Sequence, residues 1–208
     1  MTSFDAIVFV VDDDPLIRDA LEQLIKSVGL KAYTFSSARE FLEEDLPDGP
    51  CCLILDIRMP GLSGLDLQDE LAKKALTIPV IFITGHGTVP MSVRAMKAGA
   101  VDFIQKPFED QELLDAIHSA LERNRQTRME QAEIREIKRR VESLTPREHE
   151  VLLLVTAGKP NKQIAYDLKL SENTVKTHRA HVMQKMKAES LADMVRFTEK
   201  VDICRYKK

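Results

Sequence analysis

Apolar residues in the first 120 positions fall in short runs separated by amphipathic stretches. Ala6–Val11, Lys31–Phe35, Cys51–Leu55, Val80–Thr84 and Val101–Gln105 read as strands, whereas Leu16–Val28, Leu65–Lys74, Met91–Ala98 and Gln111–Leu121 repeat with helical spacing. Runs such as CCLIL and VIFIT are apolar throughout, the pattern of strands covered on both faces. Alternating βα units of this kind predict an α/β doubly wound, parallel five-stranded sheet, with function at the carboxyl ends of its strands.

The pattern changes after Glu109. From there to Leu144 no Gly or Pro occurs and Arg, Glu, Gln and Lys dominate, which predicts a long exposed helix joining two halves. Ile134, Ile137, Val141 and Leu144, spaced 3, 4 and 3, form an apolar seam that suits either a brief coiled coil or packing against a neighbouring domain. Thr145-Pro146-Arg147-Glu148 is a capping box with Pro at the first helical position, and Gly158 closes that helix. Asn161–Leu168 follows as a second helix. After the turn Lys169-Leu170-Ser171, Ser171 caps a third helix that reaches about Met186, and Ser190 caps a fourth, Leu191–Thr198. The expected organisation is a domain over 1–122, a linker helix over 123–141 and a small all-α four-helix domain over 142–208.

Charge separates the same halves. The formal net charge of −3 conceals 10 basic and 20 acidic residues in positions 1–120, against 20 basic and 13 acidic in the remainder. A small basic domain suits a polyanionic partner, and an acidic one does not. Ala6–Val11 is too short to span a bilayer and has no basic stretch before it, so a cytoplasmic protein without a membrane partner is expected. Cys51, Cys52 and Cys204 make neither a disulfide framework nor a Cys-x-x-Cys motif and read as inert core thiols.

The strand ends carry the candidate chemistry: Asp12, Asp13 and Asp14 after the first strand, Asp56 after the third, Thr84 after the fourth, and Lys106-Pro107 after the fifth. Pro15 suits a first helical position, which makes Asp14 a helix cap and leaves Asp12 and Asp13 free to meet Asp56. Two carboxylates about 4 Å apart repel by roughly 4 kcal/mol at an effective dielectric of 20, so a converging set needs cations. Lys106 supplies one charge and a hard divalent ion such as Mg²⁺ the rest. Such a site suits phosphoryl transfer to a carboxylate, with a hydroxyl and a lysine on the phosphoryl oxygens.

VVDDDP, LILDIRMPGLSG, FITGHG and DFIQKPF, in this order, resemble a bacterial response-regulator receiver domain over about residues 4 to 122. The resemblance implies that Asp56 accepts a phosphoryl group from a sensor histidine kinase. Asp12, Asp13 and Asp56 would hold Mg²⁺ together with the backbone carbonyl of Arg58, while Thr84 and Lys106 would bind the phosphoryl oxygens. It also implies a switch role for Phe103, a cis Lys106–Pro107 bond, and an influence of Arg58 and His86 on phosphoryl lifetime.

On the third C-terminal helix, at about 100° per residue, Val175, Val182 and Met186 form an inner stripe with His178 and Arg179 on its margins. Lys176, Thr177, Ala180, His181 and Gln184 point the other way, as on a helix that enters a major groove. LTPREHEVL, NKQIAYDLKLSENTVKTHRAHVMQKM and ESLADMV resemble the LuxR/NarL-type helix-turn-helix domain, nearest to FixJ-like regulators. That resemblance implies base contacts from Lys176 and Thr177, a phosphate contact from Thr174, and backbone contacts from Lys162, Arg179 and Lys185. Ala180 replaces a Lys found in other members, and His181 is the neighbouring candidate. A phosphorylation-controlled transcription regulator follows, with double-stranded promoter DNA as partner, a homodimer on phosphorylation and RNA polymerase as a further candidate. Two rivals are a haloacid-dehalogenase-like phosphatase, which would carry an Asp where Arg58 stands, and a protein-interaction module with a degenerate receiver. The pattern thus favours a chain that is not an enzyme on other substrates and catalyses only its own phosphorylation and dephosphorylation.

Overall fold

The computed structural model describes residues 6–203. The chain divides into two compact units, residues 1–128 and 129–208.

The first unit contains β1 (Ile7–Val11), α1 (Pro15–Ser27), β2 (Lys31–Phe35), α2 (Ala38–Leu42), β3 (Cys51–Asp56), α3 (Gly64–Lys73), β4 (Val80–Thr84), α4 (Val89–Lys97) and β5 (Asp102–Gln105). The sheet is parallel throughout, in the order β2-β1-β3-β4-β5. The five strands lie within a residue of their expected positions. The five-residue helix α2 is the element that sequence patterning omits, being too short to show a periodic stripe.

Alternation along the strands builds two cores. Val8, Val10, Cys52, Ile54, Ile81, Ile83 and Ile104 face α1 and the start of α5 (Asp110–Glu142), meeting Leu21, Ile25, Leu113 and Ile117. Phe9, Val11, Cys51, Leu53, Leu55 and Phe82 face the other way, onto Phe41 of α2, Leu67 and Leu71 of α3 and Ala95 of α4. Both faces of the central strands are therefore covered, which is why they read as unbroken apolar runs. Cys51 and Cys52 are buried free thiols whose pKa values burial pushes up, and Cys204 lies outside the described residues.

Helix α5 is one helix of 33 residues, with no break where the linker was expected to begin. Within the first unit, buried Asn124 accepts from the Cys51 amide at 3.1 Å and donates to the Thr77 carbonyl at 3.0 Å, fastening α5 to the amino ends of β3 and β4. In the second unit its last turns contribute Ile137 and Val141, with Leu144 just beyond, to a core shared with Val151, Leu152, Ile164, Val175, Val182 and Met186. Of the two roles open to the seam, the structure shows packing into a helical domain.

That domain comprises α6 (Pro146–Thr156), α7 (Asn161–Leu168), α8 (Glu172–Met186) and α9 (Leu191–Lys200). The Thr145–Glu148 capping box is present in both directions, and Ser171 and Ser190 cap α8 and α9 as expected. Among the described residues no helix is long and apolar enough to cross a membrane.

Candidate functional site

The order 2-1-3 reverses the direction of winding at β1, so a crevice opens at the carboxyl ends of β1 and β3. Asp14 caps α1, accepting from the Leu16 amide at 2.9 Å with Pro15 behind it, and this turn swings Asp12 inward. Asp12 is 1% exposed, and its Oδ1 accepts from the Asp14 amide at 2.9 Å. At the end of β3, Asp56 is 6% exposed, and its Oδ2 accepts from the Arg58 amide at 2.6 Å. Lys106 reaches between them from the end of β5. Its Nζ lies 2.7 Å from Asp12 Oδ2 and 3.0 Å from Asp56 Oδ1.

Two carboxylates thus share one ammonium. Burial pushes the Asp56 carboxyl above its ordinary pKa despite the bonds from Lys106 and Arg58, and the Asp12 charge adds to the rise. Burial also acts to lower the Lys106 pKa, but its bonds to Asp12 and Asp56 outweigh this and hold it above the ordinary lysine value. Asp13, expected to converge with these groups, is exposed beside the pocket. Among the described residues no three His, Cys, Asp or Glu side chains are gathered as metal ligands. Two buried carboxylates sharing one ammonium nevertheless fit a magnesium ion, which takes one or two carboxylates and keeps several waters.

Thr84, 1% exposed at the end of β4, accepts at Oγ1 from the His86 amide at 3.3 Å. The Lys106 amide donates to the Thr84 carbonyl at 2.9 Å, which joins β4 and β5 at the pocket, and the Lys106–Pro107 bond is cis. Phe103 is half-buried, its ring 6.5 Å from that of Phe82. Arg58 and His86 are both exposed.

The second candidate surface lies on α8. Lys176, Thr177, Ala180, His181 and Gln184 are exposed, while Val175, Val182 and Met186 are buried. Asn173, Thr174, Lys176, Thr177, His178 and His181 line one shallow concavity. Thr174 serves the helix cap, 2.8 Å from Ser171 Oγ, and Thr177 donates to the Asn173 carbonyl at 3.1 Å. Lys162 on α7 is exposed. Two of the residues expected to contact the DNA backbone have internal partners. Arg179 donates to Asn161 Oδ1 at 3.0 Å, and Lys185 lies 2.6 Å from Oε2 of buried Glu148.

Residues 8–118 match the response regulator receiver domain, and residues 142–198 match the bacterial regulatory proteins of the luxR family. Nodulation protein W of Bradyrhizobium diazoefficiens is 55% identical over 201 residues, covering 97% of this chain and 88% of that protein. The chain belongs to the luxR-type response regulators. This response regulator is also 45% identical to the transcriptional regulatory protein FixJ of Rhizobium meliloti, over 92% of the chain and 94% of that protein. The response regulator StyR, a solved structure, is 47% identical with a TM-score of 0.85, and the match covers 95% of this chain and 100% of StyR. The first unit is therefore a receiver domain and the second carries a luxR-type DNA-binding domain, the combination found in FixJ-like transcriptional regulators of two-component systems.

Several residues at the two sites escaped sequence reasoning. Gly64 begins α3 directly behind the acceptor: a Cβ there would lie 2.2 Å from the Asp56 carbonyl oxygen. At Gly87 a Cβ would lie 2.9 Å from the Phe103 ring and 3.2 Å from the Thr84 methyl. Both glycines stand inside motifs that carry the family resemblance, and the close approaches explain why a side chain is missing. Glu148 was legible as a cap, but its bond to Lys185, 37 residues away, was not.

Proposed function

We propose that Asp56 accepts a phosphoryl group from a sensor histidine kinase, and that this controls receiver dimerisation and DNA binding by α8. The observation that carries the reading is the Lys106 ammonium, 2.7 and 3.0 Å from Asp12 and Asp56 in a buried pocket with Thr84 at its edge. A carboxylate oxygen of Asp56 would attack phosphorus, forming the O–P bond of a mixed anhydride as the P–N bond of the donor phosphohistidine breaks and the imidazole leaves. The Arg58 amide fixes Oδ2 and so aims the acceptor.

Mg²⁺, held by Asp12, Asp13, Asp56 and the Arg58 carbonyl, would supply positive charge against the phosphoryl oxygens. Lys106 would shift from sharing two carboxylates to pairing with the new group, which adds about −1.5 to −2 charge. Thr84 would donate its hydroxyl to a phosphoryl oxygen. The space it leaves favours an inward turn of Phe103, whose ring already lies over Gly87. The switch would remodel the neighbouring face of α4 and β5, where Val89, Val93 and Met96 stand exposed at helical spacing, a surface suited to a second copy. Arg58 and His86, two residues beyond Asp56 and Thr84, would limit water access to the acyl phosphate.

In the second domain, Lys176, Thr177 and His181 would face base edges, with Ala180 between them leaving room rather than charge. Lys162 and the α8 amino end with Thr174 would meet phosphates. A transcriptional role would bring RNA polymerase into reach of the assembled dimer, and the protein would act in the cytoplasm.

Light scattering tests the proposal: incubation with a small phosphodonor and Mg²⁺ should double the molar mass of the parent and leave Asp56→Asn unchanged. A parent that stays at its starting mass, even on DNA, would contradict it.

A further inference from the structure

Tyr166 is 84% exposed, the most exposed of the large hydrophobic and aromatic side chains in the described residues. It lies on α7, whose buried face is formed by Ile164 and Ala165. Lys162 is one turn before it on the same side, and Lys169 lies one turn after it, in the left-handed residue that ends the helix. All three are exposed, and none has a side-chain partner among the described residues. By contrast, nearby Lys159 is paired with Asp167 at 2.8 Å, and Arg179 with Asn161 at 3.0 Å. The unpaired stripe is thus cationic at both ends with an aromatic hydroxyl between.

We propose that this stripe is a DNA-backbone contact, with Tyr166 packing its ring on a sugar and donating its hydroxyl to a phosphate between the two lysines. In a helix-turn-helix the first helix crosses the sugar-phosphate backbone while the second enters the groove, and α7 is that first helix. Arg179 ties the amino end of α7 to α8, so α7 and its stripe stay fixed relative to the reading helix. Tyrosine suits the position because its ring offers apolar area to the sugar and its hydroxyl offers a donor to the phosphate. Folding gives the ring nothing to cover it, and charge complementarity favours a polyanion over an apolar protein surface. The inference rests on α8 being the groove helix.

The test uses the full-length protein with a small phosphodonor and two labelled duplexes, one selected by the parent from a random pool and one of arbitrary sequence. Tyr166→Ala should weaken binding to both alike, by roughly threefold to tenfold, the range of one net hydrogen bond. Its salt slope should be unchanged, because the group lost is neutral. Tyr166→Phe should recover part of the loss, and Lys162→Ala and Lys169→Ala should each lower the salt slope by about one unit. Because the side chain lies in water, thermal melts should be unaffected. Thr177→Ala, expected to weaken only the selected duplex, tests the α8 reading separately. Parental affinity of Tyr166→Ala for both duplexes would overturn the inference, as would a loss confined to the selected one. So would intact DNA binding with lost transcriptional output, which would assign Tyr166 to a protein partner.

Discussion

Lys185 Nζ lies 2.6 Å from Oε2 of Glu148, joining the last turn of α8 to the capping box that opens α6. Glu148 is 4% exposed, and it also accepts from the Thr145 amide at 2.8 Å. A charge this deep needs its partner, so Lys185 is bound to the fold before DNA arrives. Lys185→Ala should destabilise the C-terminal domain by about 1–3 kcal/mol, the cost of leaving a buried acceptor unmatched. Chemical denaturation measures this. A lowered salt slope for DNA binding without loss of stability would instead make Lys185 a phosphate contact.

The same carboxylate predicts an acid response. Burial works to raise the Glu148 pKa, but the bonds from Lys185 and Thr145 prevail and lower it to about 2, against an ordinary 4.5. A folded pKa below the unfolded one gives stability that is present above about 4.5 and is lost as pH falls toward 2. Melting curves of parent and Glu148→Gln should therefore differ at neutral pH and converge across that window. A difference that persists at its low end would show that the carboxylate charge is not what Glu148 contributes.

Asp56 has the opposite sign. Its folded pKa is raised, so its contribution is present below the unfolded value of 3.8 and is lost as pH rises through the folded one. At neutral pH the ionised acceptor costs stability. Asp56→Asn should raise the melting temperature of the receiver, by about 4 °C for each kcal/mol relieved. An unchanged melting temperature would show that Lys106 already cancels the cost.

The two close-packed glycines separate folding from switching. Gly64→Ala drives a methyl against the backbone oxygen of Asp56, 2.2 Å from an ideal Cβ, and backbone cannot step aside cheaply. A loss of about 1–3 kcal/mol and slower phosphorylation are expected, by denaturation and mass spectrometry. Gly87→Ala meets the edge of a half-buried ring instead, so it should spare the fold and displace Phe103, shifting dimerisation in the absence of phosphodonor. Equal destabilisation by the two substitutions would contradict this distinction.

Much of this architecture is legible in the chain because its signals are local. Strands buried on both faces announce themselves as unbroken apolar runs, and Asp14, Thr145, Ser171 and Ser190 mark helix starts by capping chemistry alone. Asp12, Asp56, Thr84 and Lys106 could be brought to one edge because every parallel strand ends there. Relationships that depend on tertiary distance stayed hidden. Nothing in the sequence tells that Arg179 and Lys185 have internal partners 18 and 37 residues away, so both looked free for DNA. Asp13 is next to Asp12 in the chain, but it stays exposed where Asp12 is buried, a difference that the run of three aspartates does not reveal. The seam at Ile137, Val141 and Leu144 carried the right spacing, but spacing alone does not say whether a second helix or the helical domain covers it.

Every step proposed for this chain begins with phosphoryl transfer to Asp56. Intact mass spectrometry after incubation with a small phosphodonor and Mg²⁺, on the parent and on Asp56→Asn, reads that transfer without an intervening step. One phosphate-sized increment on the parent and none on the variant is the predicted result. No increment on either protein, or the same increment on both, would contradict the assignment of the pocket.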